Sequence, residues 1–325
     1  MLRGARLLVT GGAGYIGSHA VRVLCDLGAD VVVLDSLYTG HRPAVDGRAR
    51  LIVGDVRDPA AVTEAMVGAD AVLHFAALAL VGESVREPER YVDVNVHGTR
   101  CLAQEAEAAG VKAFVLSSTA ATYGEDVPSP ITEDQPQRPC NPYGESKAAA
   151  EAVLAAAAFP ATFLRYFNAA GAMPDGSLGE DHTPETHLIP LCIQAATGQR
   201  DQLTVFGADW DTPDGTCVRD YVHVLDLVDA HVLALERMLA GGDGAAFNLG
   251  SGVGRSVRQV LDAVGSEVGP VPSVDGARRP GDPPMLVASA ERARRELGWS
   301  PTRDLAAIVR DAWAWHRSHP AGYAG

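Results

Sequence analysis

The sequence predicts an α/β fold, a doubly wound parallel sheet of the Rossmann type, with a smaller C-terminal domain. Three observations carry this prediction. Short apolar runs alternate with helical patterns over the first half of the chain, a glycine-rich turn follows the first run, and an acidic residue ends the second. Alternating strands and helices indicate a parallel sheet covered on both faces. Such sheets bind ligands at the carboxyl ends of their strands.

The N-terminal segment has the order strand, glycine turn, helix, strand and acid. A buried strand leads into Gly11, Gly14 and Gly17, and the second strand ends on Asp35. This order matches the dinucleotide-binding fingerprint, although the glycine spacing is GxxGxxG rather than GxGxxG. Glycines let the backbone approach a pyrophosphate, whose charge rests on the helix N-terminus. Asp35 would bind a ribose diol and disfavour a 2′-phosphate, so NAD is predicted rather than NADP.

Further strands place polar and small residues at the same edge of the sheet. We expect strands at 50–53, 71–75, 114–116 and 161–166. Asp55, the Phe75–Ala77 segment and the Ser117–Thr119 segment lie at the ends of three of them. His74 is interpreted as a core histidine. The carboxyl edge is therefore the predicted site.

Tyr143 and Lys147 are separated by four residues and would share one face of a helix. A free phenol has a pKa near 10 and is a poor base at pH 7. An ammonium one turn away, at an effective dielectric of about 20, stabilises the phenolate by roughly 3 kcal/mol, or about two pKa units. The pair is therefore predicted to be a proton acceptor. The alternative is an exposed helix that carries this spacing by chance.

The second half of the chain has a different residue composition from the first. Glycine, proline and acidic residues become frequent after Asn168. We therefore expect a first domain over 1–167 and a second over 168–325, with a return to the sheet near 223–250. An alanine-rich helix over 148–158 has a surface suited to packing against a second subunit.

Composition restricts the class of protein. The chain has 325 residues, 47% of them apolar, and a net charge of −14. The acidic balance argues against general binding to nucleic acid or anionic membrane. No apolar run reaches the length of a membrane span, and the N-terminus does not resemble a signal peptide. These features predict a soluble cytoplasmic protein.

Neither the cysteines nor the C-terminal histidines predict a metal site. Five cysteines are scattered without paired spacing, which favours reduced thiols in the cytoplasm. Trp313, Trp315, His316 and His319 close the final helix, and we interpret them as packing residues and solvated tail.

Several motifs together resemble a known family. GGAGYIG, Asp35, SSTAATYG, YGESK and RYFNAAG resemble the extended short-chain dehydrogenase/reductase superfamily. HFAALALVGES, GEDHTPETHLIP, DGTCVRDYVHV, NLGSGVG and RRPGD are similar to the UDP-glucose 4-epimerase family within it. The resemblance extends from Leu7 to Tyr323.

The resemblance implies an activity and a set of site residues. The activity is reversible interconversion of UDP-galactose and UDP-glucose through NAD-dependent transient oxidation at carbon 4. It implies a homodimer that pairs helices near Asn95 and Ala150, a Rossmann domain for NAD and a substrate-binding C-terminal domain for the UDP-sugar. The catalytic residues would be Tyr143, Lys147 and Thr119. The NAD contacts would be Gly11, Gly14, Tyr15, Ile16, Gly17, Asp35, Asp55, Val56, Phe75, Ala76, Ala77, Asn95, Ser117, Tyr143, Lys147 and Tyr166. The substrate contacts would be Thr119, Tyr143, Asn168, His187, Leu188, Thr204, Phe206, Arg219, Tyr221, Arg279, Asp282 and Leu286.

Three departures from the family pattern leave the exact substrate open. Ala79 replaces a lysine found in some members, and His187 replaces an asparagine. Leu286 occupies the position whose bulk decides whether an N-acetyl group fits, and leucine is intermediate there. A UDP-N-acetylhexosamine or a UDP-pentose is therefore an alternative substrate.

Two other functions fit the sequence less well than epimerisation does. A nucleotide-sugar dehydratase usually places an acidic pair just after the catalytic Ser or Thr, where this chain has Ala120 and Ala121. A non-catalytic NAD-responsive regulator would not need to retain Tyr143, Lys147 and Thr119 together. Both readings are therefore less favoured.

Overall fold

The structure, a computed structural model, describes residues 2–125, 127–279 and 282–324. Pro280 and Gly281 of the RRPGD motif lie outside these residues. The strands are β1 (Arg6–Thr10), β2 (Asp30–Asp35), β3 (Arg50–Val53), β4 (Ala71–His74), β5 (Ala113–Thr119), β6 (Ala161–Tyr166), β7 (Asn168–Ala170), β8 (Leu203–Phe206), β9 (Val218–His223), β10 (Ala246–Leu249), β11 (Gly254–Ser256), β12 (Ser273–Gly276) and β13 (Met285–Leu286). The α-helices are α1 (Tyr15–Asp26), α2 (Pro59–Met66), α3 (Val81–Arg86), α4 (Pro88–Tyr91), α5 (Gly98–Ala109), α6 (Pro142–Ala155), α7 (Leu188–Ala196), α8 (Val224–Leu239), α9 (Val257–Glu267), α10 (Glu291–Leu297) and α11 (Leu305–Ser318).

A seven-stranded sheet in the order β10-β6-β5-β4-β1-β2-β3 forms the centre of the molecule. Every neighbouring pair in it is parallel. The chain runs outward from β1 to β3 and then crosses back to β4. This reversal opens a crevice at the carboxyl ends of β1 and β4, where dinucleotides bind in Rossmann folds. The predicted fold class is confirmed.

Successive residues of the central strands point into two separate cores. In β1, Leu7 and Val9 belong to the core that includes residues of α1 and α8. Leu8 belongs to the opposite core, with residues of α2, α5 and α6. All three side chains are fully buried. A strand buried on both faces reads as a continuous apolar run, which is why β1 could be recognised in the sequence.

The C-terminal half contributes both to the main sheet and to a separate layer. β10 pairs with β6 at the edge of the main sheet. β9 pairs with β7, β11 and β13, while β8 pairs with β12. A third core lies among α7, α9 and α11. The division into domains at residues 167 and 168 stays a prediction.

Helix α6 begins earlier than the alanine-rich stretch suggested. Asn141 caps it, since its side-chain oxygen accepts a hydrogen bond from the Gly144 amide at 2.9 Å. Pro142 occupies the first turn, a position that suits its missing N–H. Tyr143 and Lys147 therefore lie inside the helix. The helix ends at Ala155 rather than at residue 158.

The helices and the cysteines can be compared with what the composition led us to expect. None of the helices in the described part of the chain is both long enough and apolar enough to span a bilayer. The five cysteines are free.

Candidate active site

A cavity of about 820 Å³ lies at the carboxyl edge of the main sheet, between the two halves of the chain. The structure brings most of the predicted site residues to its walls. On the cofactor side these are Gly11, Gly14, Tyr15, Ile16, Gly17, Asp35, Asp55, Val56, Phe75, Ala76, Ala77, Lys147 and Tyr166. On the other side they are Thr119, Tyr143, Asn168, His187, Leu188, Arg219, Tyr221, Asp282 and Leu286.

The glycine turn between β1 and α1 is packed too closely for side chains. Gly11 has a φ of +72°, and a Cβ there would lie 2.5 Å from the Ala76 amide nitrogen. A Cβ on Gly17 would lie 2.1 Å from the Gly11 carbonyl oxygen. These glycines hold the first turn of α1 against the ends of β1 and β4. The helix N-terminus, with its free amides, therefore faces the cavity.

Asp35 ends β2 with its carboxylate oriented by backbone amides. One oxygen accepts a hydrogen bond from the Ala13 amide at 2.9 Å, and the other accepts from the Leu37 amide at 2.8 Å. Burial raises the pKa of the carboxyl, while these amides act in the opposite direction. Each oxygen retains a second lone pair. The arrangement fits a bidentate acceptor for a ribose diol.

Asp55 is held differently, in an ion pair with Arg57 that places 2.6 Å between the closest atoms. This guanidinium lowers the pKa of the Asp55 carboxyl. Both residues line the cavity, although only Asp55 was expected there.

Tyr143, Lys147 and Thr119 meet where α6 passes the end of β5. Tyr143 and Lys147 face the cavity from consecutive turns, and a hydrogen bond joins Tyr143 to Thr119. Thr119 is 9% exposed and also accepts a hydrogen bond from the Ala121 amide at 3.2 Å. The predicted juxtaposition of these side chains is present.

The predicted effect of Lys147 on the phenol is wrong for the protein groups by themselves. Burial raises the pKa of Tyr143, and only the hydrogen bond with Thr119 opposes it. Burial also lowers the pKa of Lys147 to about 8, while Glu151 acts in the opposite direction. Spacing along a helix predicts proximity, but burial removes both groups from water and shifts the pKa of each against its charged form.

Two predicted NAD contacts have side chains bonded within the protein. Asn95 lies in a π-helical turn, Val92–His97. Its side chain bonds both backbone groups of Leu78 at 2.8 and 3.0 Å, and it donates to the Ser146 hydroxyl at 2.9 Å. The Ser117 hydroxyl bonds His231 Nε2 at 2.8 Å. Neither residue lines the cavity, so their side chains position the loop after β4 and the end of β5.

Three predicted substrate contacts lie outside the cavity wall. Thr204 and Phe206 are on the exposed face of β8. The Arg279 guanidinium lies 4.2 Å from the centre of the Phe206 ring. These residues remain predicted contacts.

The wall opposite the glycine turn carries the remaining substrate candidates. Arg219 lies 3.6 Å from Asp282, and Leu286 pairs with Arg219 in the register of β9 and β13. Buried Asp220 accepts hydrogen bonds from the amides of Ser251 and Ala288 at 2.7 and 3.1 Å. Asp220 thereby fixes the segment that carries Leu286.

Sequence reasoning missed a cluster of His and Glu side chains in this wall. Glu180, His182, Glu185 and His187 place one ligand atom each within 4.8 Å of one another. Glu180 contacts both histidines through hydrogen bonds or ion pairs. Although burial opposes it, Glu180 and Glu185 raise the pKa of His182 to about 10. Glu180 likewise raises the pKa of His187, against burial.

A metal ion would have to displace protons from this cluster before it could bind there. The four residues stand in the GEDHTPETH stretch, where alternating His and Glu were the available signal. The expectation of no metal stays a prediction.

The site can be compared with known proteins. The model of the NAD dependent epimerase/dehydratase family matches residues 7–250. The UDP-glucose 4-epimerase of Lacticaseibacillus casei is 50% identical over 325 residues, and the match covers 98% of each chain. A crystal structure of a UDP-glucose 4-epimerase has a TM-score of 0.95 and 47% identity, covering 98% of this chain and 99% of that one.

A second solved structure carries a cofactor. The UDP-glucose 4-epimerase of Brucella ovis, in complex with NAD, has a TM-score of 0.93 and 45% identity, covering 96% of this chain and 98% of that one. These similarities extend over almost the whole length of the proteins compared. They confirm the resemblance drawn from the motifs, and the chain belongs to the NAD dependent epimerase/dehydratase family.

Proposed function

We propose that this enzyme interconverts UDP-galactose and UDP-glucose by inverting carbon 4 of the hexose. The observation that carries the proposal is the meeting of Thr119, Tyr143 and Lys147 with the glycine turn in one cavity. A proton acceptor and a dinucleotide pocket in the same cavity suit oxidation of a sugar hydroxyl. The identity of about half over full length with UDP-glucose 4-epimerases supports the same chemistry.

The residues present fit NAD as the cofactor. The glycine turn admits a pyrophosphate at the N-terminus of α1, and Asp35 presents oriented carboxylate oxygens to a ribose diol. NAD, when bound, supplies a hydride acceptor and donor at carbon 4 and a positive charge that favours the Tyr143 phenolate.

The side chains of this chain handle the proton. Tyr143 takes the proton of the 4-hydroxyl and returns it after the sugar has turned. The reaction would have no net redox change because the hydride taken from carbon 4 would also be returned to it. Lys147 would hold the ribose hydroxyls of the cofactor. Because burial raises the pKa of Tyr143, the positive charge of bound NAD, rather than Lys147, would have to favour the phenolate. Thr119, in a hydrogen bond with Tyr143, orients the reacting oxygen.

The far wall holds the nucleotide while the sugar moves. Arg219 is placed to pair with the diphosphate, since a guanidinium binds phosphate bidentately. A keto sugar would turn about its link to the diphosphate and present its opposite face to the cofactor. A cavity of about 820 Å³ is compatible with that rotation.

The direct test is proton NMR of UDP-galactose incubated with the purified protein and no added NAD. We expect UDP-glucose to appear and approach a fixed ratio, with cofactor that remained bound through purification. Tyr143→Phe serves as the matched inactive variant. Failure to convert the sugar, even after NAD is added, would exclude this activity.

A UDP-N-acetylhexosamine is the second candidate substrate, because Leu286 lines the cavity with a side chain of intermediate size. The same NMR assay with UDP-N-acetylgalactosamine distinguishes the two. A dehydratase is not supported, since Ala120 and Ala121 line the cavity where that reaction would need acidic groups.

We also propose a cytoplasmic homodimer. Exposed Val85 and Val92 lie near α6, on the side of the molecule where the resemblance places the partner. Light scattering after gel filtration tests this assembly. A monomeric mass at micromolar concentration would contradict it.

A further inference from the structure

The catalytic face of α6 continues beyond Lys147. Glu151 follows one turn later, at the same four-residue spacing that separates Tyr143 from Lys147. Its side chain is 4% exposed and does not line the cavity. A buried carboxylate is unfavourable unless it is paired and hydrogen-bonded. Its partners therefore determine what it can do.

Three side chains from other parts of the chain bind the Glu151 carboxylate. Arg165 donates to both oxygens, at 2.9 Å from Nε and 2.6 Å from Nη2. Ser118 donates to Oε1 at 2.5 Å, and Gln137 donates to Oε2 at 2.9 Å. Arg165 also donates to the Tyr123 hydroxyl at 2.9 Å. The carboxylate is thus fully engaged in a buried network.

These bonds tie together the elements that carry the catalytic groups. Ser118 directly precedes Thr119 at the end of β5, and Arg165 directly precedes the cavity residue Tyr166 at the end of β6. Glu151 therefore fixes the distance between α6 and both strand ends. Displacing catalytic groups by about 1 Å can slow a reaction about a hundredfold.

Glu151 is also the anion that acts on Lys147. Burial lowers the pKa of Lys147, and the Glu151 carboxylate opposes that shift. Three other titratable or charged groups belong to this region. Tyr143 lies one turn before Lys147 on the same helix, the charge of Lys147 adds to the lowering of the His74 pKa, and Arg165 binds the Glu151 carboxylate. Burial lowers the pKa of His74 to about 3, so this imidazole is neutral at pH 7 and supplies no compensating charge.

We propose that Glu151 is a positioning residue for the reaction. Held by Arg165, its carboxylate fixes the Lys147 face of α6 against the Thr119 end of β5 and maintains the cationic form of Lys147. The inference rests on the proposed function, because it assigns Glu151 a part in that same site.

The chain contains only two lysines, Lys112 and Lys147, so the catalytic one can be titrated directly. The holoenzyme is labelled with 13Cε-lysine and the two lysine signals are followed by NMR as the pH is changed. The signal of exposed Lys112 is the internal reference. Glu151→Gln leaves Arg165 as an unpaired buried cation, which destabilises a fold. The double variant E151Q/R165M removes both charges and is therefore the principal test.

A control variant removes another ion pair with a buried carboxylate, away from the cavity. Asp226 is 1% exposed and pairs with Arg303, and neither residue lines the cavity. The Arg303 side chain is 30% exposed, so D226N/R303M removes a less buried cation than E151Q/R165M does, and it leaves α6 unaltered.

We expect E151Q/R165M to move the Lys147 titration down by about half a pH unit or more. The alkaline limb of the pH profile of kcat should shift in the same direction. We also expect kcat to fall at least about tenfold, with a small change in KM for UDP-galactose. In D226N/R303M, the pH at which Lys147 titrates and the alkaline limb of the pH profile of kcat should both match those of the unaltered enzyme.

An unmoved Lys147 titration in E151Q/R165M, with a kcat loss no larger than that of D226N/R303M, would overturn the proposal. The NMR titration needs no turnover. If the enzyme converts no UDP-galactose, the proposed function fails, while the shift of Lys147 still decides whether Glu151 acts on it.

Discussion

Replacing Lys147 by methionine should stabilise the dinucleotide-free protein at neutral pH while abolishing turnover. Burial lowers the pKa of Lys147 to about 8 from its ordinary 10.5. One pKa unit corresponds to about 1.4 kcal/mol, so keeping this side chain charged in the folded protein costs about 3 kcal/mol at pH 7. Methionine fills a similar volume and carries no charge. The 4% exposure of Lys147 means that solvent offsets little of this cost.

The gain in stability should depend on pH in a defined direction. The folded protein binds the Lys147 proton less tightly than the unfolded chain does. Between about pH 8 and 10.5 the unfolded chain therefore holds more protons, and the free energy of unfolding rises with pH. Below pH 8 both states are protonated and the full cost is present. K147M lacks this titration, so its advantage should shrink as the pH rises above 8.

Urea unfolding at pH 7 and pH 9.5 measures both quantities. Lys112→Met is the control, because Lys112 is exposed and pairs with Asp70 at the surface. That substitution should change stability by less than about 1 kcal/mol. The reasoning is refuted if K147M is no more stable than the unaltered protein at pH 7, or if both show the same dependence on pH.

Three further substitutions test the site. Tyr143→Phe should lower kcat about a thousandfold and still retain NAD, which is measured by its absorbance after release from the protein. Tyr323→Phe, outside the cavity, should turn over UDP-galactose at the rate of the unaltered enzyme. Asp35→Asn should weaken the binding of NAD about tenfold and reduce the preference for NAD over NADP, both measured in binding titrations. Asp30→Asn, at the exposed start of the same strand, should change neither affinity. Leu286→Ala should raise the ratio of UDP-N-acetylgalactosamine to UDP-galactose turnover in the NMR assay, and an unchanged ratio would show that this side chain does not limit the substrate.

The central sheet was predictable because its signals are local. Leu7, Leu8 and Val9 form an uninterrupted apolar run since both faces of β1 are buried. Gly11 and Gly17 are required by close approach of the backbone to itself, which no other residue permits. Each signal occupies a few neighbouring residues, so the sequence suffices to predict it.

The role of a polar side chain depends on contacts that the sequence does not display. Asn95 could be expected to meet a ligand, yet its amide bonds both backbone groups of Leu78 and the Ser146 hydroxyl. Asn95 also lies in a π-helical turn, which the sequence pattern did not predict. The His182 and His187 cluster was missed for a related reason, since four residues of one loop converge only when that loop folds.

The pKa of Tyr143 shows why charge and burial must be weighed together. Four-residue spacing with Lys147 correctly predicts that the two groups share a face, but the same burial that brings them together removes both from water. The protein then bears the cost of a cation in its interior, which Glu151 partly offsets. Glu151 is itself balanced by Arg165. Lys147 and Glu151 on α6 and Arg165 on β6 thus form a row of buried charges. This row lowers the stability of the fold and keeps a charged lysine at the site, a compromise that is common in active sites.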